Sequence, residues 1–326
     1  MSDRIPPAHK PLPRSSLARL QQMLAVGAAG FAATWLLLWW PHSRVVAVLG
    51  ALLSLGGYAL VLGLEGVAAA LLNRGDTAPP LAWRGVAGAW WQEVRVAPRV
   101  FAWHQPFRWA SLPDDADPSD GRVPAVVFVH GFVCNRGIWL PWMRRLRREG
   151  VPYVSVNLEP VFGSIDAYVP LLSEAVGRAR ALTGRPPMLV CHSMGGLVAR
   201  AWRVAEPETS VHKVVTIGSP HRGTWLGRFS RVANGRQMRQ DGEWLVALHR
   251  REAEIAPQNA YADFVCWYSN ADNIVFPAST ATLPGADNRH VPGVAHVALA
   301  FHPRVMDESL AIVTSAASSP SERTAA

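Results

Sequence analysis

Lysine is almost missing from this 326-residue chain: Lys10 and Lys213 are the only two, so the formal net charge of +8 is carried by arginine. The arginines are scattered and form no basic face interleaved with aromatics, which argues against a nucleic-acid-binding surface. Cysteine is scarce as well. Cys134, Cys191 and Cys266 are odd in number and have no paired spacing, which excludes a disulfide framework and a cysteine-ligated zinc site and fits a reducing compartment. No internal repeat is visible, so repeat architectures are left out.

What the chain does have is apolar length, unevenly placed. The hydrophobic fraction of 49% is ordinary for a globular protein, but residues 23–72 hold its long runs. Met23–Trp40 is eighteen residues without a charge, and after Pro41-His42-Ser43-Arg44 comes Val45–Leu64, twenty more. Crossing the hydrocarbon core takes about 20 apolar residues. Trp35, Trp39 and Trp40 cluster where an interfacial aromatic belt would lie. The runs are apolar on every face and no cleavage site follows, which favours a transmembrane hairpin over a signal peptide or two core helices. Glu65 then marks the exit from the bilayer. The tail, residues 1–22, carries Arg4, Lys10, Arg14 and Arg19, and Arg74, Arg84, Arg95 and Arg99 follow the second run. The positive-inside rule puts both ends of what is expected as a multi-pass protein, and the domain beyond, on the cytoplasmic side of the membrane. If only one run spans, that domain lies on the other side.

Residues 73–122 form a connector in which Trp83, Trp90, Trp91, Trp103 and Trp109 alternate with Arg84, Arg95, Arg99 and Arg108. Such a stretch can lie on the membrane surface or wrap the following domain. Its end, Asp114 to Gly121, is turn chemistry and marks a boundary.

From residue 123 the period changes. Val123–Val129, Pro152–Leu158, Pro187–Cys191, Val211–Ile217 and Phe264–Tyr268 read as short strands, the first a wholly apolar run as expected of a strand buried on both faces. Helical stretches, Ile138–Glu149, Ile165–Leu182 and Met194–Ala205, alternate with the first four. That alternation predicts an α/β domain over 123–314, with a mostly parallel sheet flanked by helices. Residues 221–260 break the rhythm and are expected to form a helical lid over the sheet's carboxyl edge. Residues 315–326 are small and polar, expected as a disordered tail.

Ligands in such a sheet bind beyond the carboxyl ends of the strands. His130-Gly131-Phe132, His192-Ser193-Met194, Ser219-Pro220-His221 and the 270–273 loop stand there. Ser193, flanked by Cys191 and Gly195, occupies a sharp strand-to-helix turn whose crowding demands small neighbours. Cys191 departs from the G-x-S-x-G pattern but is small enough to fit. A serine needs a base, and the base an orienting acid. Order along the chain nominates Asp272 after the fifth strand and His296 beyond it, 24 residues on. His290 and His302 compete for the base; Asp287, Asp263 and Asp241 compete for the acid. The amides of Met194 and Phe132 are the candidate oxyanion donors. His130 is expected to order its loop.

Val129-His130-Gly131-Phe132, His192-Ser193-Met194-Gly195-Gly196-Leu197-Val198-Ala199-Arg200, Gly218-Ser219-Pro220-His221-Arg222-Gly223-Thr224 and the Asp272 and His296 loops together resemble bacterial triacylglycerol lipases of the α/β-hydrolase superfamily, over about residues 123–305. The resemblance implies an α/β-hydrolase fold with a lid. It also implies hydrolysis of a hydrophobic acyl ester through an acyl-enzyme on Ser193, without an organic cofactor. No pair of acids matches the calcium site that some of these lipases carry, so no metal is expected. The expected partners are a lipophilic ester and the membrane, with specificity set by residues 221–260. A thioesterase or acyltransferase with the same residues, and an inactive scaffold, are the alternatives.

Overall fold

The computed structural model describes residues 15–115, 119 and 121–315. Arg4, Lys10 and Arg14 of the basic tail, part of the 114–121 turn and residues 316–326 lie outside the described residues.

Four helices come first: α1 (Ser16–Trp39), α2 (Arg44–Gly56), α3 (Tyr58–Leu72) and α4 (Trp83–Ala97). α1 begins well before the apolar run, because the Ser15 hydroxyl accepts from the Ala18 amide at 3.1 Å and caps it. Its first turns bury Leu17 and Gln21, with Gln21 donating to the Gln105 side chain at 3.1 Å. By length and composition α1 is able to cross a membrane. The second apolar run is bent: α2 and α3 meet at 54° around Gly57, and by length and composition the pair can cross a membrane only as one broken element. Two adjacent glycines weaken the helix there, and Ser54 bonds back to the Gly50 carbonyl at 2.6 Å. α3 is thereby turned across the following domain.

α4 continues through Pro98 into a π-helical stretch, Pro98–Arg108. Pro98 has no N–H for the Val94 carbonyl four residues back. The Tyr58 hydroxyl on α3 donates to that carbonyl instead, at 2.8 Å, and Trp90 on α4 donates to the Ala59 carbonyl at 2.7 Å. The connector therefore wraps the domain that follows it. Asn73 accepts from the Ala278 amide and donates to the Asn270 carbonyl, and Asp76 accepts from the Ser279 amide, at 2.7–3.1 Å.

The domain is a six-stranded, wholly parallel sheet in the order β2-β1-β3-β4-β5-β6. The strands are β1 (Val126–Val129), β2 (Tyr153–Ser155), β3 (Met188–His192), β4 (Lys213–Ile217), β5 (Phe264–Tyr268) and β6 (Asp287–His290). α5 (Leu140–Glu149), α6 (Val169–Thr183) and α7 (Gly195–Ala205) connect the first four. Both faces are covered. Val127, Val129, Leu189, Cys191 and Val214 join one core, while Val126, Phe128, Val190, Val215 and Trp267 join the other.

The 221–260 insertion divides. Its first part, with α8 (Ala233–Gln237), edges the carboxyl end of the sheet. Its second, α9 (Glu243–Ile255), packs beside α7 through a buried ion pair. Arg200 donates to both Glu252 oxygens at 2.8 and 2.6 Å and to the His221 carbonyl at 2.6 Å. Removing one partner of such a pair costs about 3–5 kcal/mol, because the other charge is stranded. Helix α9 is therefore fixed to the body of the domain. The last two helices among the described residues are α10 (His296–Leu299) and α11 (Pro303–Ser315).

Candidate active site

The strand order reverses between β1 and β3, and the loops leaving their carboxyl ends diverge there. Ser193 stands at that point with φ +53°, in the left-handed region that ordinary side chains avoid. The turn is held by the Ser193 amide donating to the Ile217 carbonyl at 2.9 Å. Crowding explains the glycines around it. A Cβ on Gly195 would sit 2.5 Å from the Val129 carbonyl oxygen, and one on Gly131 would sit 2.8 Å from Ser193 Cβ. Cys191 lies within β3 opposite Thr216, fully buried, so a small side chain suffices at that position.

Asp272 lies on the loop after β5, its Oδ1 accepting from the Ile274 and Val275 amides at 2.9 and 2.8 Å. Its Oδ2 lies 2.9 Å from His296 Nδ1. The proton therefore belongs on Nδ1, and Nε2 is left as the basic nitrogen. Gly218, at φ +57°, passes so close that a Cβ there would be 3.0 Å from Asp272 Oδ2 and 3.1 Å from His296 Nδ1. Burial on its own would lower the His296 pKa. The charge and hydrogen bond of Asp272, with the nearby Glu93 and Glu65, outweigh it and raise the pKa above the ordinary value.

Ser193 and His296 line one cavity of about 820 Å³, together with Phe132 and the start of the insertion. Among the described residues, the Met194 and Phe132 amides have no hydrogen-bond acceptor. Val133, a β-branched residue at φ +51°, turns the loop beside them. His130 orders that loop, as its Nε2 accepts from the Leu158 amide at 2.9 Å and burial lowers its pKa to about 4. The rivals for base and acid sit elsewhere. His290 packs on Tyr268, Asp287 pairs with Arg289, and Asp263 pairs with Arg203 and Lys213. Neither His302 nor Asp241 reaches the cavity.

Residues 126–314, carrying every strand and all of these loops, match the model of the alpha/beta hydrolase family. The chain belongs to that family. This hydrolase is similar in fold to the mature Bacillus licheniformis lipase BlEst2, at 16% identity and a TM-score of 0.53, over 62% of this chain and 96% of that one. Aspergillus fumigatus lipase B is similar at 16% identity and a TM-score of 0.50, over 61% and 54% of the respective chains. No curated protein matches the sequence of this hydrolase.

Two carboxylates that pattern reading passed over also surround His296 in this hydrolase. Glu93 on α4 is buried and accepts from the Val297 and Ala298 amides at 2.9 and 3.0 Å, capping the helix that begins at His296. Burial pushes its carboxyl up to about 7, against the lowering pull of the two amides and of His296. Glu65 on α3 accepts from the Asn273 side chain at 2.9 Å, and Asn273 Oδ1 accepts from the His296 amide at 3.2 Å. Glu65, read from sequence as the exit from the bilayer, is also tied to the loop that carries Asp272. A signal existed: Glu93 is the lone acid between Asp76 and Asp114, and Glu65 the lone acid between Asp3 and Asp76. Because the Glu93 charge helps raise the His296 pKa, Glu93→Gln should lower it. If His296 works as a base, the acid limb of a pH–rate profile then moves to lower pH, since the base becomes neutral sooner. An acid limb left in place, or moved upward, would refute this coupling.

Proposed function

We propose that this hydrolase is a membrane-tethered serine ester hydrolase acting on a lipophilic acyl ester. The observation that carries the reading is the convergence of Ser193, the Asp272-oriented His296 and Phe132 on one largely apolar cavity, with the Met194 amide directly following Ser193. In this reading the Ser193 oxygen attacks the ester carbonyl carbon as its proton passes to His296 Nε2. The amides of Met194 and Phe132 stabilise the resulting oxyanion. Collapse breaks the bond to the alcohol oxygen, which takes the proton from His296, and the acyl group remains on Ser193. Water, deprotonated by the same nitrogen, then releases the acid.

The printed names of the two fold neighbours, both lipases, agree with an ester substrate. α1, and α2 with α3 as a bent second element, form the tether in this reading. The arginines flanking them favour a cytoplasmic hydrolase domain.

A fluorophosphonate probe tests the proposal. Full-length protein in detergent should lose hydrolysis of p-nitrophenyl esters as the probe adds, and the adduct should map to the peptide containing Ser193. Well-folded protein that takes no label, or takes it elsewhere, would sink the serine-hydrolase reading.

A further inference from the structure

The walls of the catalytic cavity come from both halves of the chain. Ser193, His296, Ile274 and Met238 belong to the hydrolase domain, but Leu24 of α1, Leu55 of α2 and Tyr58, Leu62 and Glu65 of α3 line the same space. Positions 55, 58, 62 and 65 recur at intervals of three and four, so they form one stripe facing inward despite the bend at Gly57. The opposite faces of these helices carry Leu49, Leu60 and Leu64, at 61%, 63% and 72% exposure. Leu24 and Leu55 do both: they line the cavity and yet stay 63% and 53% exposed, which places them at its mouth.

A cavity mouth rimmed by leucines on the outward-facing apolar helices suits hydrocarbon better than water. Contiguous exposed apolar surface of this kind marks a lipid or partner contact, and α1 has the length and composition of a membrane span. A lipid is the occupant that fits, because the apolar face is continuous with the apolar interior of the cavity and that interior ends at Ser193.

We propose that the N-terminal helices form the acyl-binding wall of the site, so that a membrane lipid ester enters between α1 and α3 with its acyl chain along Leu55 and Leu62. The inference rests on the serine-hydrolase reading and adds to it where the chain-length selectivity resides: in the tether as well as in the 221–260 insertion. Each methylene laid against such a wall contributes about four-fold in kcat/KM.

The test is a p-nitrophenyl ester series from acetate to palmitate with the full chain in detergent, comparing wild type with Leu62→Trp and Val61→Trp. Val61 also lines the cavity and serves as the second variant should the first fold poorly. The expected result is a drop of about ten-fold or more in the ratio of long-chain to short-chain kcat/KM, with the optimum moved to shorter acyl groups. Leu49→Trp, on the outward face of α2, should keep the wild-type ratio. If the wall variants keep that ratio while Ser193 still takes a fluorophosphonate, the wall is refuted and the hydrolase reading stands. If wild type neither takes the probe nor cleaves any ester, the hydrolase reading falls and the wall proposal falls with it.

Discussion

Ser193→Ala is expected to lower kcat on a p-nitrophenyl ester by about a million-fold, with KM changed only a few-fold. Loss of a serine nucleophile alone costs about this much elsewhere, because base and acid have nothing left to activate. The residue lies at a forced φ of +53°, and alanine meets the same backbone strain as serine. The melting temperature should therefore stay close to wild type, separating loss of chemistry from loss of fold. A residual rate of about a thousand-fold over water is expected from the Met194 and Phe132 amides and from binding. Activity within ten-fold of wild type would mean that the nucleophile is another group in the cavity.

Asp272→Asn should cost about ten-thousand-fold in kcat, and the geometry says why. Oδ1 of Asp272 already receives the Ile274 and Val275 amides, so in the variant the amide oxygen stays there. The NH₂ group then replaces Oδ2 and donates to His296 Nδ1. That drives the imidazole proton onto Nε2, the nitrogen needed as a base. The variant also loses the charge and hydrogen bond that raise the His296 pKa, so the acid limb of whatever activity remains moves to lower pH. A pH profile of kcat/KM reads both effects. A loss below ten-fold would remove Asp272 from the role proposed for it.

Much of this architecture is written in local pattern. β1, β3, β4 and β5 announce themselves as apolar runs because both faces of the sheet are covered. β6, Asp287–His290, does not, since it is an edge strand with exposed and half-buried residues. It lies between Asp272 and His296, 24 residues apart, where no apolar run stands out. The turn at Ser193 was legible from its place between a strand and a helix, and the pairing of Asp272 with His296, 2.9 Å apart, from order along the chain. Glu93 and Glu65 were not, because they reach the site across about 200 residues of sequence and sit among tryptophans and leucines that dominate any hydropathy reading. The bend at Gly57 was hidden for the same reason: a window of apolar residues looks alike whether the helix is straight or broken.

Tyr58 donating to the carbonyl that Pro98 leaves unserved is one stitch in a longer seam. Asn73, Asp76, Glu65 and Glu93 supply the others, each serving a backbone amide or an asparagine in the loops around Asp272 and His296. The helices that precede the domain are thus also scaffolding for the candidate site. Trimming them away would strand polar groups beside Asp272 and His296, so the helical segment and the hydrolase domain are expected to fold and to be purified only as one unit.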